Sequence, residues 1–405
     1  MHVFADTETE RFRAGCTAPP VVCMQYCVDD GPAVLMTKPG DFVCADGRSG
    51  TMRSGTGQAA GNEFPNLLAS WLSGGATLVG HNIAYDLACL CALEGALLPL
   101  VFRAYRENRI TDTMWRQKLA DIGRGKYRGF QAKGGWVQLN YDLGSVGGRH
   151  GFRVNKDDPW RLYYGLLADV PLADWPGLRV TVPKLKDDAP DLDKQGQPIM
   201  VNLAGEDAIA YGLGDPVATR AAFVGQAQRY EPALLCDEFN QARKFWGLHL
   251  AEVWGLRTSL RGVLDLERGA LARVDELGAM LQEGPSPLVR ADGSRDTKAA
   301  QARIVAVSKE AGIAHRLTKG GAPCLDSDAC NSSGDPLLEA YAEYSSMKKV
   351  LSNDVAALRK GMIVPVHTHF DLAETGRTTS AGPNVQNPRR LAGVRECFVP
   401  RGYTG

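Results

Sequence analysis

The chain has 405 residues, more than one ordinary hydrophobic core holds, so two or three domains are expected. Hydrophobic residues at 44% and charged residues at 23% are ordinary soluble values, and 46 Lys+Arg balance 46 Asp+Glu, so a nucleic-acid partner must be argued from local patches. No apolar run approaches the roughly 18 residues of a membrane span, and Asp6 arrives too early for a signal peptide. The ten cysteines contain no C-x-x-C pair. They read as free thiols of a reducing compartment, and the cytoplasm is the expected location.

In chain order, FADTETERF (4–12) ends a short apolar strand. VVCMQYCVDD (21–30) and AVLM (33–36) read as two more strands around a turn at Asp30-Gly31-Pro32, giving a three-strand meander. The Gly-rich stretch 47–61 reads as a loop, FPNLLASWLS (64–73) as a helix and ATLVG (76–80) as a buried strand. HNIAYDLACLCALEG (81–95) reads as a helix ended by Gly95. Strands and helices alternating in this way predict a layered α/β domain with a mixed sheet.

Three carboxylate-bearing patterns stand out. Asp6 and Glu8 are two apart on a strand, so they share a face and crowd two like charges. Such a pair stays ionised only with a cation between the groups or with good solvation. Oxygen donors of this kind suit Mg²⁺ or Mn²⁺. Asn82 and Asp86 are four apart, on one face of the expected helix, and Asp86 sits among Ile83, Ala84, Leu87 and Leu90. A bare acid in that setting is costly unless paired or metal-bound. Tyr211 and Asp215 are again four apart within EDAIAYGLGDPVATRAAF (206–223). Pro216 directly after Asp215 leaves open whether the two share one unbroken helix.

The order D-x-E, N-x-x-x-D, Y-x-x-x-D resembles the DEDDy 3′–5′ exonucleases, the proofreading domains of DNA polymerases and their RNase D-like relatives. The resemblance implies an RNase H-like domain, a mixed sheet flanked by helices. It also implies that Asp6, Glu8, Asp86 and Asp215 hold two divalent ions, Mg²⁺ or Mn²⁺, with Asp6 bridging. Tyr211 is then the residue that orients the attacking water, Thr7 a contact to the terminal nucleotide and Asn82 a contact to the strand. Two-metal chemistry accounts for four acids, because hydrolysis needs both an activated hydroxide and a stabilised leaving 3′-oxygen. His81 reads equally as a helix-entry histidine or a site residue, and Asp112 equally as a support for the ligands or not.

Between these patterns, ITDTMWRQKLADIG (110–123) reads as a strand end followed by a helix. GRGKYRGFQAKGGW (123–136) mixes Arg124, Lys126, Arg128 and Lys133 with Tyr127, Phe130 and Trp136. That is either a surface for a frayed single strand or a solvated loop. The polar, acidic stretch 182–198 reads as an inserted loop.

From about residue 230 long helical periodicity takes over, broken at LTKGGAPCL (317–325) and resumed over 335–361. The tail VHTHFDLAETGRTTSAGPNVQNPRRLAGVRECFVPRGY (366–403) is rich in Gly, Pro, Thr, Asn, Gln and Arg, chemistry suited to sugar edges and minor-groove acceptors. With TKGGAP, YAEYSSMKK, VHTHF and TGRTTSAGPNVQN in this order, the chain resembles the family A DNA polymerases, of the DNA polymerase I type. Thr378, Thr379 and Val385 depart from the usual Leu, Ser and Leu.

The resemblance implies an exonuclease domain over 1–228, a mainly helical thumb over 229–364 and the start of a polymerase palm over 365–405. Arg377, Thr379, Asn384, Gln386 and Asn387 are expected to contact DNA or shape the palm, and Lys348 and Lys349 to meet phosphates. His367 and His369 read as structural. The expected partners are a single-stranded 3′ end and a primer–template duplex. The acidic palm motifs of the family lie beyond RGYTG, so this chain alone is expected not to synthesise DNA. A truncated frame, a split gene with a second polypeptide completing palm and fingers, and an interrupted gene all fit. The want of a preceding 5′-nuclease domain looks phage-like. Two other readings stay open: a DNA-binding half-polymerase acting through its partner, and an RNase D-like RNA trimmer.

Overall fold

A computed structural model describes residues 1–52, 63–132, 135–152, 158–186, 189–318, 320–387 and 393–401. Residues 53–61 of the expected 47–61 loop, Lys133 of the basic and aromatic stretch, Asp187 and Asp188 of the acidic loop, Lys319 of TKGGAP, and residues 388–392 and 402–405 of the tail lie outside them. Contacts divide the chain into two compact units. One is Met1–Val253 with His369–Thr379, and the other is Trp254–Thr368 with Ser380–Gly405.

The first unit is built on a seven-stranded mixed sheet in the order β5-β4-β3-β2-β1-β6-β7. The strands are β1 (His2–Thr9), β2 (Val21–Val28), β3 (Val34–Thr37), β4 (Asp41–Cys44), β5 (Ser49–Thr51), β6 (Thr77–Gly80) and β7 (Ile110–Asp112). From β1 to β5 neighbours run antiparallel, while β1–β6 and β6–β7 are parallel. The expected three-strand meander is thus extended by β4 and β5. Ser49–Thr51, expected in a loop, pair with 41–43 because the edge of β4 offers them a ladder. β2 is buried along nearly its whole length, since both sheet faces are covered.

One face carries α1 (Glu63–Ser73), α2 (Ile83–Leu93) and α3 (Leu97–Arg106) over Met24, Phe64, Leu68, Leu87 and Tyr105. The other carries α6 (Gly205–Arg229) and three short 3₁₀ turns between 159 and 177, over Cys23, Leu35, Trp160, Tyr164 and Trp175. Between them lie α4 (Thr113–Gly123), the strands β8 (Gly129–Ala132) and β9 (Gly135–Gln138), α5 (Leu143–Arg149), and β10 to β13 (Arg179–Pro183, Leu185–Lys186, Ala189–Pro190, Met200–Ala204). The basic and aromatic stretch is therefore a hairpin in part, Phe130 facing Val137 across it. The acidic loop is spanned by the β10–β13 ladder.

Two expectations need correction. The helix over 81–95 begins only at Ile83, and Asn82 stands outside it at φ 66°. Its backbone is left-handed, a region that Asn tolerates better than most residues, so Asn82 and Asp86 do not share a helix face. The boundary expected at 228/229 also moves. After α7 (Pro232–Leu235), α8 (Glu238–Trp254) buries Ala242 and Trp246 in the first unit's core, with Phe245 stacked 3.4 Å from Trp115. Those aromatic contacts hold 229–253 to the sheet unit.

The second unit is mainly helical: α9 (Leu260–Gln282), α10 (Thr297–Glu310), α11 (Ser327–Asn331), α12 (Pro336–Lys349) and α13 (Ala356–Gly361). Leu277, Leu281, Ile304, Leu338, Tyr341 and Tyr344 form its main core. No helix among the described residues is long and apolar enough to cross a membrane.

Candidate metal centre

The site begins with the pleat of β1. Glu8 pairs with Cys23 and Asp6 with Gln25. Cys23 packs with Tyr211, whereas Met24, opposite Thr7, packs with Ile83 and Leu87 of α2. Alternation therefore sends Asp6 and Glu8 toward α6 and Thr7 toward α2. The register shifts between Glu8 and Thr9, where the ladder ends.

On α6, Tyr211 and Asp215 are one turn apart, and the helix runs unbroken through Pro216. The proline withdraws the donor that the Gly212 carbonyl would otherwise receive. Ala208, Ala218 and Ala222, all fully buried, keep the helix on the sheet through that gap. Gly212 makes the approach possible, because a Cβ there would stand 2.8 Å from Leu35 Cδ1 and 3.1 Å from Gln25 Nε2.

These elements bring Asp6, Glu8 and Asp215 together, with a carboxylate oxygen of each within 4.8 Å of the others. Glu8 is 8% exposed and Asp215 only 3%. Asp6 is half-buried, and three like charges this close are stable as anions with a cation among them. An all-oxygen donor set suits a small hard divalent ion.

Asp86 lines the same cavity, of about 360 Å³, together with Tyr211. It stands outside the triplet. Its Oδ1 accepts from the Thr7 amide at 3.0 Å and the Thr7 hydroxyl at 2.6 Å. Burial pushes its carboxyl up, against the pull of the Thr7 donors and with the Asp112 charge adding to the rise. Thr7, expected to meet a terminal nucleotide, instead spends both donors on Asp86. Burial is also the main force raising the Tyr211 phenol, and Asp215, Glu8 and Asp6 add to it. The hydroxyl therefore stays protonated.

Asp112 proves to be a staple. Its Oδ1 caps α4 through the amides of Met114 and Trp115, and its Oδ2 accepts from the Ile83 amide at 2.9 Å. One buried acid thus fixes the starts of α2 and α4 together. His81 is held at both ring nitrogens, 2.9 Å from the Thr113 hydroxyl and 2.8 Å from the Tyr141 carbonyl. It nevertheless lines the cavity beside Asn82.

Arg161, Tyr85 and Phe12 also line this cavity. Arg161 sits on a 3₁₀ turn that no pattern in the sequence announces. Tyr85 bonds Thr9 at 2.7 Å, and the 64%-exposed Phe12 lies 5.6 Å from its ring. Both fall within stretches singled out for their acids, so an aromatic reading could have found them.

The expected DNA contacts divide between the units. Arg377 and Thr379 belong to the first and are exposed, while Lys348, Lys349, Asn384, Gln386 and Asn387 belong to the second. Lys348 and Lys349 close α12 on its exposed side. Asn384 Oδ1 accepts from the Ser380 hydroxyl and the amides of Gln386 and Asn387, so that oxygen shapes its own turn. His369 lies 3.6 Å from Glu252 in an ion pair, in keeping with a structural histidine.

No family model and no curated protein matches the chain. Among solved structures the fold is similar to that of the POL domain of Pol1 from M. smegmatis, determined in complex with DNA primer-template and dNTP. The TM-score is 0.54 at 15% identity, over 99% of this chain and 56% of that one. The chain thus spans little more than half the length of this neighbour. Sequence and structure agree on the architecture: a mixed sheet flanked by helices, followed by a helical region, in a polymerase-like fold.

Proposed function

We propose that the chain is part of a family A DNA polymerase whose first unit is a DEDDy-type 3′–5′ exonuclease acting on DNA ends. One observation carries this reading: Asp6, Glu8 and Asp215, far apart in sequence, converge within 4.8 Å, with Asp86 and Tyr211 on the same cavity. The polymerase-like fold supports it, and the neighbour's primer–template supports DNA as the ligand class.

Asp6, Glu8, Asp86 and Asp215 would hold two divalent ions, Mg²⁺ or Mn²⁺, which when bound supply an activated water and a stabilised leaving 3′-oxygen. The chain's own groups do the rest. Tyr211, kept protonated, can hold a water in line with the scissile bond through its hydroxyl. Thr7 fixes the orientation of Asp86, and Asp112 fixes the helix that carries it. Arg161, beside the acids, offers a cation to the scissile phosphate. Arg377, Thr379, Asn384, Gln386, Asn387, Lys348 and Lys349 would serve the duplex.

The test is stepwise shortening of 5′-labelled single-stranded DNA by the purified chain in Mg²⁺ or Mn²⁺, with an RNA of the same sequence alongside. Shortening from the 3′ end, lost in Asp6→Ala and Asp215→Ala, is the expected result. Intact DNA with the wild-type chain, or equal shortening by Asp6→Ala, would overturn the reading. Preference for the RNA would favour the RNase D-like alternative.

A further inference from the structure

A second cavity of the first unit, about 830 Å³, shares Asp6 and Asp215 with the first and continues to Lys118, Arg128 and Asp371. Lys118, on α4, is only 5% exposed. Its ammonium lies 4.1 Å from the centre of the Trp115 ring, which fixes its direction. A lysine so desolvated needs an anion, and Asp371 Oδ1 supplies one at 2.7 Å. The same carboxylate takes Arg128 Nη2 at 3.2 Å, while the Tyr127 hydroxyl, 3.3 Å from it, gives its proton to the Leu372 carbonyl at 2.7 Å.

Two cations thus converge on one small anion in a cavity that leads to the carboxylate cluster. The anion comes from a distant segment. Asp371 sits in the strap His369–Thr379, which belongs to the first unit although more than a hundred residues of the second unit precede it. The strap also carries Arg377 and Thr379. A backbone phosphodiester offers these donors the same single negative charge, spread over two non-bridging oxygens as in a carboxylate.

We infer that Lys118 and Arg128 form a backbone-phosphate subsite for the single strand entering the metal centre, and that Asp371 occupies it as a built-in competitor. The inference rests on the exonuclease reading for its ligand class. Strand binding and strap docking are then mutually exclusive at this point. Each must weaken the other by the same factor. An Asp371→Asn chain keeps the Tyr127 hydroxyl's bond to the Leu372 carbonyl, at 2.7 Å, and so keeps an anchor for the strap.

The experiment measures binding of a short oligothymidylate to the full chain in EDTA, where hydrolysis plays no part, across a salt series. Asp371→Asn is expected to bind about tenfold tighter, an ordinary coupling factor. Arg128→Gln, at a half-exposed position that does not threaten the fold, is expected to bind more weakly and to lower the salt slope by about one. Hydrogen exchange of the wild-type amides over 371–379 is expected to quicken when the oligonucleotide is added. Unchanged affinity in Asp371→Asn, or slower exchange of the strap with oligonucleotide present, overturns the inference and leaves an ordinary structural ion pair. A chain that shows the competition yet never shortens DNA in Mn²⁺ supports this subsite while defeating the nuclease reading.

Discussion

Both units pair acids with bases, but the first also gathers acids of like charge into one cluster. In the first, three carboxylates from β1 and α6 are gathered within 4.8 Å, Asp215 among them deeply buried. In the second, acids meet bases: Arg303 grips Asp335 through two nitrogens, Arg273 grips Glu343, and Arg359 pairs with Glu267. Matched pairs need nothing further and serve the fold. Gathered like charges work against the fold unless something outside the chain joins them. The contrast separates a region shaped by stability from one shaped by a ligand.

The sharpest break in that contrast is Asp215→Asn. It should slow the nuclease by about a thousandfold, the usual size when a preorganised electrostatic group is lost. In EDTA its Tm should hold or rise, because one crowded charge is gone. A clear fall in Tm would place Asp215 among the structural acids and dissolve the distinction. Next comes metal linkage. Mn²⁺ at about a hundredfold excess over its Kd should add about 2.7 kcal/mol to wild-type stability by denaturant titration, and nothing comparable to Asp6→Asn.

In the second unit, Asp335→Ala removes both an ion pair and the cap of α12, where Oδ1 accepts from Leu337 and Leu338 at 3.0 Å. The expected loss is about 2 kcal/mol by denaturant titration, with no change in oligonucleotide affinity. The pH signature follows. Burial works to raise the Asp335 carboxyl, but Arg303 and the helix amides win and hold it below the usual range. A group whose folded pKa is depressed stabilises above its unfolded pKa and ceases to as pH falls through the folded value. The contribution should therefore be lost below about pH 4, and Asp335→Asn should flatten that acid limb. The smallest effect is expected from Lys348→Gln with Lys349→Gln. Stability should stay within about 0.5 kcal/mol, while the salt slope of duplex binding falls by about one per lysine.

What was legible in the sequence was whatever depends on strict local spacing. The i, i+2 rule put Asp6 and Glu8 on one face of β1, while the i, i+4 spacing of Tyr211 and Asp215 suggested a shared face that Pro216 left open until the structure showed one unbroken helix. The core helices and central strands announced themselves through their apolar periods. What escaped were features set by long-range geometry. Nothing in the spacing linked Thr7 to Asp86, yet α2 turns Asp86 onto both of its donors. Asp112 could be read only as a support for the ligands or not, because the use of its second oxygen by Ile83 depends on β6 and β7 lying side by side. Asn82 failed the helix rule because a left-handed residue intervenes. Lys118 reads as one more helix lysine until Asp371, 253 positions later, is found against it.

The contact of Gly212 with Leu35 and Gln25 sets a clearance. A residue with no side chain acts there as the shim under a lever, since Tyr211 and Asp215 ride on the same rod. Adding a single methyl at that point would press on the tips of the Leu35 and Gln25 side chains, and whatever part of that pressure they do not absorb would push Asp215 away from β1. Ion preference could thus be altered from a position that touches no ion.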